Sequence, residues 1–120
     1  MYKNWIDMTT EMSGAVRELR AGTPEVMKGF SALARAAMAG RALDAKTKEL
    51  IGLAISVATR CDACVAFHAE SAVKHGASRD EVLEAMGMAI YMGAGPSVMY
   101  AAQALEAVDQ FQRRDMVEAA

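Results

Sequence analysis

The apolar residues of this chain recur at spacings of three and four, and no stretch alternates with a period of two. Trp5, Met8, Met12, Ala15, Val16 and Leu19 form the first such stripe, which ends at Gly22. Thr23 and Pro24 then offer an N-cap and a first helical position. Val26, Met27, Phe30, Leu33, Ala34, Ala37 and Met38 follow on one face as far as Gly40. Asp44 is placed to cap a third helix from about Ala45 to Thr59. Its second half, Leu50 to Ala58, is apolar on every side and predicts a central helix covered all round. A fourth helix runs from near Cys61 to His75, where a cation suits the negative helix end, and Gly76 supplies a left-handed stop. Ser78 and Glu81 form the Ser-x-x-Glu capping box of a fifth, with Val82, Leu83, Met86, Ala89, Ile90 and Tyr91 pointing inward. Pro96 opens a sixth, which carries Val98, Met99, Ala102, Leu105, Val108 and Phe111 toward a charged tail, Arg113 to Glu118, expected to fray. The pattern predicts an all-α bundle of about six helices and leaves no segment for a sheet.

With 120 residues, 53% of them hydrophobic, the chain can bury a core, and residues 1–120 read as a single domain. A formal net charge of -2 provides no basic excess for a phosphate backbone, so nucleic acid is not an expected partner. Ala85 to Leu105 carries no charge and is nominally long enough to span a bilayer. Gly93, Ala94, Gly95 and Pro96 divide it, however, and Tyr91, Ser97, Tyr100 and Gln103 dilute it, so two buried helices and no membrane are expected. Met1 to Thr10 lacks the continuous apolar stretch of a signal peptide, which makes the cytoplasm the expected compartment. The Met residues fall at helical spacings and read as core filler. Six helices in so short a chain present more apolar surface than one copy easily hides, above all on the third, fifth and sixth helices, and this predicts self-association.

Reactive side chains cluster in Arg60-Cys61-Asp62-Ala63-Cys64-Val65-Ala66-Phe67-His68. At about 100° per residue, Cys64 lies about 60° and His68 about 20° around the axis from Cys61, so all three share a face. His68 is one turn beyond Cys64 and within reach of its proton. Cys61 lies at the helix start, where unsatisfied N–H groups favour a thiolate. A bridge between two cysteines so close in sequence constrains little of the unfolded chain, which argues against a purely structural disulfide. If the third and fourth helices form a hairpin, Glu49 and His68 are nearly equidistant from the turn at Thr59 and Arg60, and the carboxylate can orient the imidazole. Glu70 points elsewhere.

Glu49 followed by Cys61-x-x-Cys64-x-x-x-His68, with an Ala-rich helix and the Gly76 stop, resembles the AhpD-like alkylhydroperoxidases of the carboxymuconolactone decarboxylase superfamily. The resemblance runs from about Leu43 to Leu105. It implies a helical fold assembled into trimers or hexamers, and reduction of hydroperoxides or disulfides with no metal or other cofactor. It also implies that Cys64 attacks, Cys61 resolves, and His68 and Glu49 move the proton. The reductant would be an external dithiol, either a small molecule or a thioredoxin or lipoyl-type protein. Ala63 departs from the pattern: the best-studied branch has His before its second cysteine, and a relay to the first sulfur through that position is missing here.

Other chemistries use the same residues. Cys61, Cys64, His68 and Glu49 would make a complete set of zinc ligands. The cysteines could be inert core residues, and Glu49 a surface carboxylate beside Lys46 and Lys48. A redox-sensing module without turnover, or a lactone decarboxylase as in the other branch of the superfamily, also fits an oligomeric helical chain.

Overall fold

The computed structural model describes residues 1–120 and is helical throughout. Five helices follow one another: α1 (Trp5–Gly22), α2 (Pro24–Met38), α3 (Ala45–Ala58), α4 (Asp62–Lys74) and α5 (Arg79–Ala119). The expected fifth and sixth helices are the two arms of α5, which meet at Ala94 (φ 54°, ψ -143°) just before Pro96. A Cβ at Gly93 would come within 1.9 Å of Ser97 Oγ, so the kink closes on itself only with glycine there.

Most boundaries follow from local capping. The Asp44 carboxylate accepts the Thr47 N–H at 2.8 Å and starts α3. Ser78 and Glu81 exchange both bonds of the capping box, Glu81 N–H to Ser78 Oγ at 3.1 Å and Ser78 N–H to Glu81 Oε1 at 2.9 Å. Gly76, at φ 83°, takes the left-handed conformation that lets the chain leave α4, and His75 Nδ1 turns back to the Ser71 carbonyl at 2.8 Å. Thr23 behaves differently: it occupies the N-cap of α2, yet its hydroxyl donates to the Leu19 carbonyl of the preceding helix.

The core lies among α3, α4 and α5, around Leu53, Val57, Val65, Val82, Val108 and Phe111, all fully buried. Ala66, Ala69 and Ala72 on α4 and Ala104 and Ala107 on α5 are buried between them, and their small side chains let the backbones approach closely. Trp5 fixes α1 to this core. Its side chain is wholly buried, its indole N–H donates to Glu106 Oε1 at 2.8 Å, and its backbone N–H donates to Gln110 Oε1 at 2.8 Å. Burial alone would push Glu106 up, but the N–H groups of Tyr2 and Lys3 and the Trp5 indole hold its carboxyl below the usual range. Trp5→Ala is expected to cost about 3–5 kcal/mol of unfolding free energy, because it opens a cavity and frees Glu106 together. Urea titration followed by circular dichroism measures that loss.

Two expectations change. The charged tail does not fray: α5 continues to Ala119, and the Arg114 guanidinium reaches Glu70 and Asp115, both at 2.9 Å. The α3 helix is not covered all round, since Ile51 is 45% and Ile55 57% exposed. Beside them Met88 and Met92 of α5 are also exposed, whereas Leu53 and Val57 on the opposite face are buried. The α2 helix buries none of its residues; Val26, Phe30 and Leu33 face outward. Leu83 and Tyr91, expected to point inward, are exposed, as are Val98 and Met99 on the second arm. No helix is long and apolar enough to cross a membrane.

Candidate active site

The site forms where α3 ends and α4 begins. Ser56 and Val57 carbonyls accept the N–H groups of Cys61 and Arg60, and Arg60 turns the chain at φ 56°. This tight return makes α3 and α4 an antiparallel hairpin, the condition on which the meeting of Glu49 with His68 rested. Cys61 is itself the N-cap of α4, its sulfur accepting the Cys64 N–H at 3.3 Å. The two cysteines are joined by a disulfide, with Cα atoms 5.2 Å apart. Both are partly exposed and so lie outside the buried core.

One turn further along α4, His68 Nδ1 lies 2.9 Å from Glu49 Oε2 on α3. A carboxylate only accepts, so the ring presents its Nδ1–H to Glu49 and keeps Nε2 free. The two ends of this couple differ in exposure. The Glu49 side chain is 8% exposed, while that of His68 is 39% exposed. Glu49 is therefore a buried carboxylate on an open imidazole, not a surface charge. Lys46 and Lys48 turn elsewhere, to Glu81 and to the Ala37 and Ala39 carbonyls. In the bridged form the imidazole bonds to Glu49 and to neither sulfur.

Gly52 was not singled out by the sequence pattern, yet it shapes this couple. A Cβ there would lie 2.9 Å from His68 Nδ1 and 3.0 Å from Cε1, so the missing side chain is the slot in which the ring sits. It stands three residues after Glu49, on the same face of α3.

The other side of the pair is polar too. Asp62, between the cysteines, ion-pairs with Lys3 from the chain before α1, and the Tyr100 hydroxyl of α5 is directed at the same carboxylate. The Lys3 ammonium holds the Asp62 carboxyl below the usual carboxylate range, and the Asp62 charge keeps the proton on Tyr100. With Cys61 and Cys64 bonded to each other, no three His, Cys, Asp or Glu side chains converge where an ion would sit in this form. Nor does either cysteine line the larger cavities. The one of about 400 Å³ bounded by Tyr2, Met99, Ala102, Gln103 and Glu106 belongs to the N-terminal strap and α5.

Comparison with known proteins shows the family to which this fold belongs. The profile of the carboxymuconolactone decarboxylase family matches residues 24–107. An uncharacterized Haemophilus influenzae protein is 44% identical over 107 residues, covering 89% of this chain and 95% of its own. An uncharacterized Cupriavidus necator protein is 38% identical over 100 residues, covering 83% of this chain and 88% of its own. Among solved structures, a carboxymuconolactone decarboxylase family protein from Legionella pneumophila superposes with a TM-score of 0.87 at 50% identity, over 89% of this chain and 96% of that one. A Thermotoga maritima family member, for which involvement in an antioxidative response has been suggested, superposes with a TM-score of 0.79 at 29% identity, over 92% of this chain and 97% of its own. The hairpin of α3 and α4, the paired cysteines and the breadth of these matches give one conclusion: the chain belongs to the carboxymuconolactone decarboxylase family.

Proposed function

We propose that this protein is a thiol-dependent hydroperoxide reductase whose Cys61–Cys64 pair alternates between dithiol and disulfide. The observation that carries the reading is a partly exposed disulfide at a helix start, one turn from an imidazole backed by a buried carboxylate. In the reduced protein the Cys64 thiolate attacks the distal oxygen of a hydroperoxide. The O–O bond breaks and Cys64 becomes a sulfenic acid, while His68, steadied by Glu49, passes the proton that its Nε2 took from the Cys64 thiol to the departing alkoxide. The Cys61 thiol then displaces water from the sulfenic acid and closes the bridge. An external dithiol, a small molecule or a thioredoxin or lipoyl-type protein, returns two electrons and two protons through a mixed disulfide. One hydroperoxide and one dithiol are consumed per turn, giving one alcohol, one water and one oxidised donor.

Steady-state assay with cumene hydroperoxide and dithiothreitol tests this. Enzyme-dependent loss of the two in equal amounts is expected, and no turnover with organic hydroperoxide or hydrogen peroxide under any dithiol would exclude it.

The uncovered apolar faces support a homo-oligomer, a trimer or hexamer, as the working form. Val26, Phe30 and Leu33 on α2 lie uncovered, and Ile51, Ile55, Met88 and Met92 offer a second uncovered face on the same chain. Two different faces that meet head to tail between copies close a ring. Phe30→Asp, which puts a charge on a residue 61% exposed in the single chain, should leave the fold intact and reduce the sedimenting mass to that of one chain. A wild-type protein that already sediments as a single chain would refute the assembly.

A further inference from the structure

We infer that Lys3 is a positioning residue for the cysteine pair, holding the Asp62 carboxylate as a neutralised partner so that the dithiol state is favoured. The inference rests on the dithiol–disulfide reading of the pair and adds a control on its equilibrium. Asp62 occupies the short ring closed by Cys61 and Cys64, bonded through the backbone to Cys61. Consecutive Cα atoms lie about 3.8 Å apart, so a thiolate forming on Cys61 and the carboxylate of the next residue lie within about one screening length of each other, and like charges oppose one another over that range.

The chain places a cation on that carboxylate from 59 residues away in sequence. Lys3 Nζ also donates to Gln103 Oε1 at 2.7 Å and lies 5.4 Å from the centres of the Tyr2 and Trp5 rings. The Lys3 backbone N–H is fixed on Glu106 Oε1 at 2.9 Å, so the ammonium reaches Asp62 from an anchored strap rather than a loose end. A half-exposed ion pair adds little stability by itself, which leaves its place on the residue that follows Cys61 as the notable feature.

The charged and titratable groups around the pair can be named element by element. The α3 helix supplies Glu49, committed to His68; the turn supplies Arg60; α4 supplies Asp62 and His68; α5 supplies Tyr100 and Glu106; and the N-terminal strap supplies Lys3. Only Lys3 is bonded to Asp62 as a cation, so its removal changes the local charge by one. When the bridge is reduced, two electrons and two protons enter and one thiol can then release a proton. A cation that stabilises this thiolate stabilises the reduced state, and its loss makes the disulfide harder to reduce.

The test is equilibration of the purified full chain with reduced and oxidised dithiothreitol, with the dithiol fraction counted by alkylation and mass spectrometry. No peroxide is present, so the result is independent of whether hydroperoxides are substrates. Lys3→Gln is expected to raise about threefold or more the ratio of reduced to oxidised dithiothreitol at half reduction, and to slow iodoacetamide alkylation of the reduced protein at neutral pH by a similar factor. Asp62→Asn should shift both the opposite way. Combining the two changes should return both readings to near wild type, and Lys3→Arg should keep them there. Singles that leave the equilibrium unmoved, or that move it in the same direction with no restoration in the double variant, would overturn the inference. The Lys3→Arg variant retains the ion pair if Lys3→Gln loosens the strap, and helical content by circular dichroism reports such loosening.

Discussion

Cys64→Ser will bring hydroperoxide consumption down to the rate of dithiothreitol alone, because a serine hydroxyl at neutral pH neither attacks the O–O bond nor carries the oxygen away as a sulfenic acid. Cys61→Ser should behave differently. In pre-reduced protein freed of dithiol, Cys64 remains able to react once, and without a neighbouring thiol to close the bridge its sulfenic acid either persists or is oxidised further, so one equivalent is consumed rapidly. The two variants together separate attack from resolution. A first-equivalent burst in Cys64→Ser and none in Cys61→Ser would place the attack on Cys61 instead. The folded state should tolerate either change, since the bridge closes so short a loop that it restricts the unfolded chain little.

Gly52→Ala should reduce turnover by about tenfold to a hundredfold, within the range expected for disturbing a proton-transferring group. The added methyl would lie 2.9 Å from His68 Nδ1, the atom that faces Glu49, so the ring must move and the bond to the carboxylate must lengthen. Stability should change little, because the gain of about 1 kcal/mol for alanine over glycine inside a helix is offset by the weakened bond to the buried Glu49 carboxylate. Loss of activity without loss of stability is therefore the signature. Gly87→Ala is the control: nothing lies within 4 Å of the added carbon, so activity should be unchanged. Stopped-flow measurement of the first oxidation step, alongside urea titration, reads both quantities. Full activity in Gly52→Ala would remove the imidazole and its carboxylate from the mechanism.

What could be read from sequence was set by interactions that stay within a turn or two. Asp44 with Thr47, Ser78 with Glu81, and Gly76 after His75 are each complete within three or four residues, so their geometry is written into the spacing. The pairing of Glu49 with His68 was legible for a related reason: a short turn fixes the register of a helical hairpin. Lys3 on Asp62 was not, because nothing local relates residues so far apart; their meeting depends on Trp5 burying itself against α5. The Gly52 slot was equally hidden, since a glycine within a helix carries no sign of which ring will fill the space. The tail from Arg113 to Glu118 looked free for the same reason, its partner Glu70 lying on another helix. In α2 the apolar stripe was real but its destination was not the core of the same chain: amphipathicity shows that a face will be covered, not by what.

The central claim is that peroxide is reduced by these two sulfurs and by nothing else in the chain. Intact-mass and peptide mass spectrometry of the fully reduced protein, before and after one equivalent of hydroperoxide, tests it most directly, because ten methionines offer a competing destination for oxygen. Loss of two hydrogens confined to the peptide holding Cys61 and Cys64 is the predicted result. A peptide of unchanged mass, with oxygen gained only on methionine, would contradict it.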